Sequence, residues 1–240
     1  MKLLIVRHAD PDYAIDSLTP TGWIEAELLS RRLAKLDVKA FYCSPLGRAR
    51  DTAKPTLEKL GREAVICPWL REFAPKVVKP SKTGVAWDWL PQDWTVRDYF
   101  FDRDRWMEAP EFQTAGVPDA YQWVCQELDE LIAHHGYRRE GNLYRAEQPN
   151  MDTIVLFCHF GLESVLLSHL LNCSPMILWH GTCATPSSVT TLITEERREG
   201  YAYFRMAGFG DTSHLYAGGR EPSFSARFCE MYTNSHERHD

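Results

Sequence analysis

Apolar residues follow two rhythms along this chain. Short runs rich in aliphatic or aromatic residues, at 2–7, 40–43, 64–67 and 153–158, have the length of strands, and those at 2–7 and 153–158 read as buried. Between them the spacing becomes helical. Trp23, Ile24, Leu28, Leu29, Leu33 and Leu36 predict a helix over 20–36, with Thr19 as N-cap and Pro20 at the first helical position. Residues 47–60 read as a helix that Pro55 must kink or interrupt and Gly61 stops. Tyr121, Val124, Leu128, Leu131 and Ile132 mark a helix over 119–135, and Leu162, Val165, Leu166 and Leu170 one over 161–171. The polar stretch 136–150 reads as a turn or exposed hairpin. Segments 188–194 and 201–206 flank a charged turn and form a second hairpin. After Gly208 the chain reads as loop and a charged tail. Strands alternating with helices predict an α/β sandwich, helices on both faces, with the final hairpin as an antiparallel edge.

One stretch breaks this rhythm. Residues 68–118 carry prolines 68, 75, 80, 91, 110 and 118 together with Trp69, Trp87, Trp89, Trp94 and Trp106. Disordered segments are poor in aromatics, so this is an ordered insertion packed on the core. It is either a lid that sets substrate choice or a packing lobe or dimer surface. The chain is long enough for one domain, 1–240, with the insertion at about 73–118.

Composition narrows the function classes. A hydrophobic content of 44% and charged content of 25% are ordinary for a folded protein. A net charge of −6 argues against a nucleic-acid partner and against an anionic membrane surface, while leaving room for a small anionic substrate held by a few arginines. The seven cysteines are odd in number and form no C-x-x-C pair, which fits reduced, buried thiols in a cytoplasmic protein. The apolar start is too short for a signal peptide and no run reaches transmembrane length. No metal-ligand spacing is present.

The candidate chemistry sits where apolar runs end. Arg7-His8 closes the first strand. The same dipeptide at Arg238-His239 lies in a polar tail and has no such setting. Ser44-Pro45-Leu46-Gly47-Arg48-Ala49 follows the second strand and puts Arg48 in the first turn of a helix, where free N–H groups favour anions. Leu70-Arg71-Glu72 follows the third, and Cys158-His159-Phe160-Gly161 joins a strand to a helix. Ligands of α/β sheets bind beyond the carboxyl ends of the strands, so these groups converge on one pocket. A guanidinium binds phosphate oxygens bidentately and a neutral imidazole can attack phosphorus. Asp10, Asp12 and Tyr13 lie on the adjoining loop as candidate substrate contacts. Lys76, Lys79 and Lys82 either draw in an anion or are merely solvated.

Val6-Arg7-His8-Ala9, Leu18-Thr19-Pro20-Thr21-Gly22, the Ser44 to Ala53 segment and Phe157-Cys158-His159-Phe160-Gly161 resemble, in order, the histidine phosphatase superfamily in its phosphoglycerate-mutase-like branch. The resemblance spans residues 2 to about 172 and implies a three-layer α/β/α fold. It implies a phosphohistidine on His8, with phosphoryl oxygens held by Arg7, Arg48 and a protonated His159. Glu72 would be the acid and then the base, with a raised pKa; Glu58 and Glu63 are its rivals in sequence. No metal or cofactor has a role. Mutases of the family usually read Arg-His-Gly-Glu followed by Asn, where this chain has Ala9, Asp10 and Ala14, and their basic bisphosphate-binding stretch has no clear counterpart. The expectation is therefore a phosphatase acting on a small soluble monoester, with a mutase as alternative and a non-enzymatic phospho-ligand binder behind it. Phe160 narrows the pocket. His214 fixes the tail, and a homodimer is open.

Overall fold

The computed structural model describes residues 1–225 and 230–237. Cys229 and Arg238-His239 lie outside the described residues. The first strand, β1 (Lys2–Arg7), sets the layering. Leu3 and Ile5 enter one apolar cluster, and Leu4 and Val6 enter the other. A strand covered on both faces needs this period-two split between two buried sides.

After β1 come the two-residue pair β2 (Pro11–Asp12) and β3 (Ser17–Leu18), then α1 (Pro20–Leu33), β4 (Val38–Cys43), α2 (Gly47–Leu60) and β5 (Val65–Ile66). The insertion holds β6 (Lys76–Val78), β7 (Thr83–Val85) and the short helices α3 (Pro91–Trp94) and α4 (Pro110–Thr114). Next are α5 (Val117–His134), the hairpin β8 (Tyr137–Glu140) and β9 (Leu143–Ala146), β10 (Thr153–Cys158), α6 (Phe160–Leu171) and α7 (Pro175–Gly181). The hairpin β11 (Val189–Arg198) and β12 (Tyr201–Asp211) and then α8 (Ser213–Ala217) follow.

Eight strands form one sheet in the order β5-β4-β10-β1-β11-β12-β9-β8. The first four are parallel, and β11 onward are antiparallel. The α/β expectation holds, and the antiparallel side is wider than one hairpin. The polar 136–150 segment does not stand free, because β9 pairs with β12. Tyr137 and Tyr144 supply its inward face, and their hydroxyls donate to Glu196 (2.7 Å) and Asp129 (2.9 Å). Leu29, Leu33, Ala49 and Ala53 of α1 and α2 cover one face against Leu4, Val6, Phe41 and Phe157. Helices α5, α6 and α7 with the insertion cover the other.

Two expectations are narrowed here. Of the two effects expected of Pro55, interruption does not occur, since α2 runs on to Leu60. One proline removes a single backbone bond, and burial of Ala49, Thr52, Ala53 and Thr56 holds the helix on the sheet. The chain does not become loop at Gly208: β12 continues to Asp211, where it pairs with Val189, and α8 follows with Leu215 buried, after which no further helix or strand forms among the described residues. The turn after α8 approaches α1 so closely that a Cβ on Gly218 would lie 2.4 Å from Leu28 Cδ2.

Residues 73–118 pack through their aromatics. Trp106 meets Phe112, Tyr121 and Trp179 edge-on, and Trp89 meets Phe100 and Phe112. Lys79 is buried inside it, its ammonium donating to the Val85 and Asp88 carbonyls, while Lys82 pairs with Asp88 at 2.8 Å. Both lysines are thus engaged within the segment. Cys43, Cys67, Cys125 and Cys158 are buried free thiols. Among the described residues no helix is long and apolar enough to cross a membrane.

Candidate active site

Strand register builds the site. Arg7 lies opposite Cys158, and Phe157 opposite Cys43, so the residues one step further are neighbours. His8 N donates to the Cys158 carbonyl at 3.0 Å and Ser44 N to the Phe157 carbonyl at 2.9 Å. On the other side Ser187 N donates to the His8 carbonyl at 3.1 Å. His8 and His159 end with ring centroids 5.2 Å apart, both buried.

Hydrogen bonding fixes the state of His8. Its Nδ1 lies 2.8 Å from the Ala9 carbonyl, which can only accept, so Nδ1 carries the proton and Nε2 keeps its lone pair. Burial, then the positive charges of Arg7 and Arg48, hold its pKa well below the usual histidine range. His8 is a neutral imidazole with a free Nε2. His159 Nε2 bonds the Ser44 hydroxyl at 2.8 Å. Burial first, then His8, Arg48 and Arg7, push its pKa down as well. Burial and the surrounding cations therefore disfavour a charge on His159, which the protonated form implied by the family resemblance would have to overcome.

Arg7 and Arg48 approach from two elements. Arg7 is buried, donates from Nη1 to the Ala184 carbonyl, and lies 5.6 Å from the Phe160 ring centroid. Arg48 stands in the first turn of α2. Its Nη1 meets Asp16 Oδ1 at 2.6 Å, and its guanidinium lies 5.4 Å from the Tyr13 ring centroid. The other Asp16 oxygen accepts from Gly47 N at 2.7 Å, so one carboxylate ties the arginine to the helix start. Asp16 takes a left-handed φ of 49° to do so, and a Cβ on Gly47 would fall 2.0 Å from its carbonyl oxygen.

Two carboxyls lie behind the basic groups. Glu72 Oε1 accepts from Phe73 N at 2.8 Å and Leu162 N at 3.0 Å, which anchors it to the first turn of α6. Burial nevertheless raises its pKa, against those N–H groups and the charges of Arg7 and Arg48. Glu163 is buried one turn along α6 from His159, and burial raises its pKa to about 7, opposed by the Thr190 hydroxyl and Arg7. Trp87 reaches this place from the insertion. It donates from Nε1 to the Phe73 carbonyl at 2.7 Å and meets Phe160 edge-on at 6.0 Å. A Cβ on Gly161 would lie 2.3 Å from Trp87 Nε1 and 2.7 Å from Glu72 Oε1, so indole and carboxyl lie side by side over that glycine.

The structure thus brings Arg7, His8, Arg48, Glu72, His159 and Phe160 together. Asp10 is tied to the fold through Oδ2, which accepts from the Thr19 hydroxyl at 2.6 Å, and through its N, which donates to Glu25 at 2.8 Å, while its Oδ1 is buried without a hydrogen-bond partner. Tyr13 is exposed and touches the site through Arg48. Asp12 caps its own turn at Ala14 N, 3.0 Å. Glu58 and Glu63 are exposed on or beyond α2. His214 Nε2 lies 3.1 Å from the hydroxyl of Ser187, so it supports the segment behind His8. Sequence reasoning gave no role to Ser44, Asp16, Trp87 or Glu163. Only Glu163 carried a signal, as a lone carboxylate in an otherwise apolar helix, i+4 from His159. Among the described residues no group of three or more His, Cys, Asp or Glu side chains is arranged to hold a metal ion.

Fold and site together define a class: a three-layer α/β/α protein with two histidines and two arginines gathered at the carboxyl ends of its parallel strands, a site built to receive a phosphoryl group. Residues 3–205 match the family model of the histidine phosphatase superfamily, branch 1. A probable phosphatase of Schizosaccharomyces pombe is 36% identical over 228 residues, which cover 90% of this chain and 95% of that protein. A putative phosphoserine phosphatase of Hydrogenobacter thermophilus is 38% identical over 82 residues, covering 30% of this chain and 40% of that protein. A phosphoserine phosphatase of Entamoeba histolytica, solved with phosphoserine, superposes with a TM-score of 0.61 at 20% identity over 89% of this chain and 98% of that one. The α-ribazole phosphatase of Shigella flexneri does so at 0.58 and 18%, over 88% and 97%. The chain belongs to the histidine phosphatase superfamily, and with relatives that are phosphatases it is a hydrolase of the phosphatase class.

Proposed function

We propose that the protein hydrolyses small phosphate monoesters in two steps through a phosphohistidine on His8. The observation that carries this is the Nδ1–H bond to the Ala9 carbonyl, which leaves the lone pair on Nε2 of a ring kept uncharged by burial and by Arg7 and Arg48. In the first step Nε2 attacks phosphorus in line, the P–O bond to the alcohol breaks, and Glu72 gives that oxygen its proton. The raised pKa of Glu72 supports a carboxyl that holds a proton near neutral pH. In the second step Glu72 takes a proton from water as the oxygen attacks phosphorus, and the P–N bond breaks to restore His8. Arg7, Arg48 and His159 hold the equatorial oxygens. A phosphate dianion beside His159 favours its protonation, so binding itself would charge this ring. Fixed positive groups around a transferring phosphoryl are commonly the largest source of rate. The scheme has no role for a metal or cofactor. The segment at about 73–118 would cap the site through Trp87, and the buried thiols suit a cytoplasmic setting.

The test is phosphate release from a panel of phosphorylated metabolites, with His8→Ala as the blank. Wild type should turn over at least one ester, and the variant should lose nearly all activity while keeping its fold by circular dichroism. Substantial turnover by His8→Ala would remove the phosphohistidine.

A further inference from the structure

One end of the Arg48 guanidinium is already taken. Its Nη1 donates to Asp16 Oδ1 at 2.6 Å, and its central carbon lies 5.4 Å from the Tyr13 ring centroid. Its Nε, by contrast, is buried and has no hydrogen-bond partner among the described residues. A charged donor left this way is costly unless a ligand completes it. Asp16 stands on the outer side of the arginine, since its side chain is 43% exposed against 12% for Arg48. The inner side is the phosphoryl site: after burial, the charge of Arg48 is among the influences on the pKa of His8, His159 and Glu72 alike.

A guanidinium offers a bidentate anion two pairs of donors, the Nη1–Nη2 end and the Nε–Nη2 side. With Nη1 drawn outward to Asp16, the pair that remains is Nε–Nη2, and its Nε is the buried donor. Asp16 is itself fixed. Its Oδ2 accepts from Gly47 N at 2.7 Å, and its left-handed φ of 49° is one that Asp and Asn tolerate. Burial alone would raise its pKa, but the Gly47 N–H and Arg48 outweigh this and lower it, so the carboxylate is ionised at neutral pH.

We propose that Asp16 is a positioning residue, which holds Nη1 of Arg48 so that the Nε–Nη2 edge faces the phosphoryl group. The proposal rests on the phosphatase reading above for the occupant of the site, and deepens it. It also predicts a sign opposite to that of simple electrostatics. Removing a carboxylate beside an anion site should tighten anion binding by Coulomb's law alone, whereas losing a positioner should weaken it. Asn has one acceptor oxygen where Asp has two, so Asp16→Asn cannot accept from both Gly47 N and Arg48.

The experiment is a double-mutant cycle on the binding of inorganic phosphate. Titration calorimetry at a single pH compares wild type, Asp16→Asn, Arg48→Lys and the double variant, each checked for folding by circular dichroism. Lys presents no fork, so a residue that acts by orienting one has nothing to orient there. Asp16→Asn should raise Kd about tenfold beside Arg48, the scale of one charge-assisted hydrogen bond, and change it less than about twofold beside Lys. Where Arg48→Lys binds phosphate too weakly to titrate, the same cycle on kcat/KM for p-nitrophenyl phosphate decides. Tighter binding by Asp16→Asn, or an equal loss in both backgrounds, overturns the proposal. An equal loss would mean that the carboxylate acts through the start of α2, and turnover by wild type would leave the phosphatase reading standing. A wild type that binds no phosphate overturns the proposal as well. If the cycle comes out as expected but no ester is hydrolysed above the His8→Ala blank, the phosphatase reading fails and the positioning role stands.

Discussion

Replacing Glu163 by Gln removes a titratable group from the centre of the molecule and should change how stability depends on pH. The carboxyl is buried against α6 and β11, and its pKa rises from 4.5 to about 7. Below pH 4.5 it is protonated whether the chain is folded or not, and it adds no pH dependence. Between 4.5 and about 7 the folded state binds the extra proton, so stability falls as pH rises through that window. Above it, the full difference is lost, about 3 kcal/mol at 1.36 kcal/mol per pKa unit. His8 and His159 act in the opposite sense, since their folded pKa values are lowered: they cost stability as pH falls below the ordinary histidine value. Both are present in wild type and variant, so the difference between the two proteins isolates Glu163. Urea unfolding of both at pH 5, 6, 7 and 8 gives the test. Whatever the offset at pH 5, the stability of Glu163→Gln relative to wild type should rise by about 2.5 kcal/mol between there and pH 8, since part of the difference is already lost at pH 5. A difference that stays constant with pH would refute a raised Glu163 pKa.

Further outcomes test the rest of the site. Glu72→Gln should slow hydrolysis of alkyl esters by roughly 10²–10⁴-fold and that of p-nitrophenyl phosphate much less, because a good leaving group needs little protonation; equal losses would put the acid elsewhere. Gly161→Ala places a Cβ 2.3 Å from Trp87 Nε1 and 2.7 Å from Glu72 Oε1, so turnover should collapse at a stability cost of about 1–3 kcal/mol, read by activity beside thermal melting. Asp16→Asn weakens the link between Arg48 and the start of α2, and should raise KM with kcat little changed. The pair is partly exposed, so the stability change should stay within about 1 kcal/mol.

The sequence by itself determined the layering and the identity of the central groups. Aliphatic runs at 2–7 and 153–158 had to become buried strands, and the polar pairs that end them had to meet beyond the sheet. His8, Arg7, Arg48 and His159 were legible because each is adjacent to such a run and the chain's own alternation fixes where it points. The width of the antiparallel side was not legible, because Tyr137 and Tyr144 earn burial only from partners far along the chain, Glu196 and Asp129 among them. Protonation states were equally hidden. The lowered His159 pKa and the raised Glu163 pKa follow from burial and from surrounding charges, which no spacing reports. The tertiary structure also decided what stands over the chemistry. Trp87 lies 74 positions before Gly161 in sequence yet shares its space, and this close approach sets its indole beside Glu72. Local pattern is set by neighbours along the chain, whereas tautomer, pKa and cavity are set by neighbours in space.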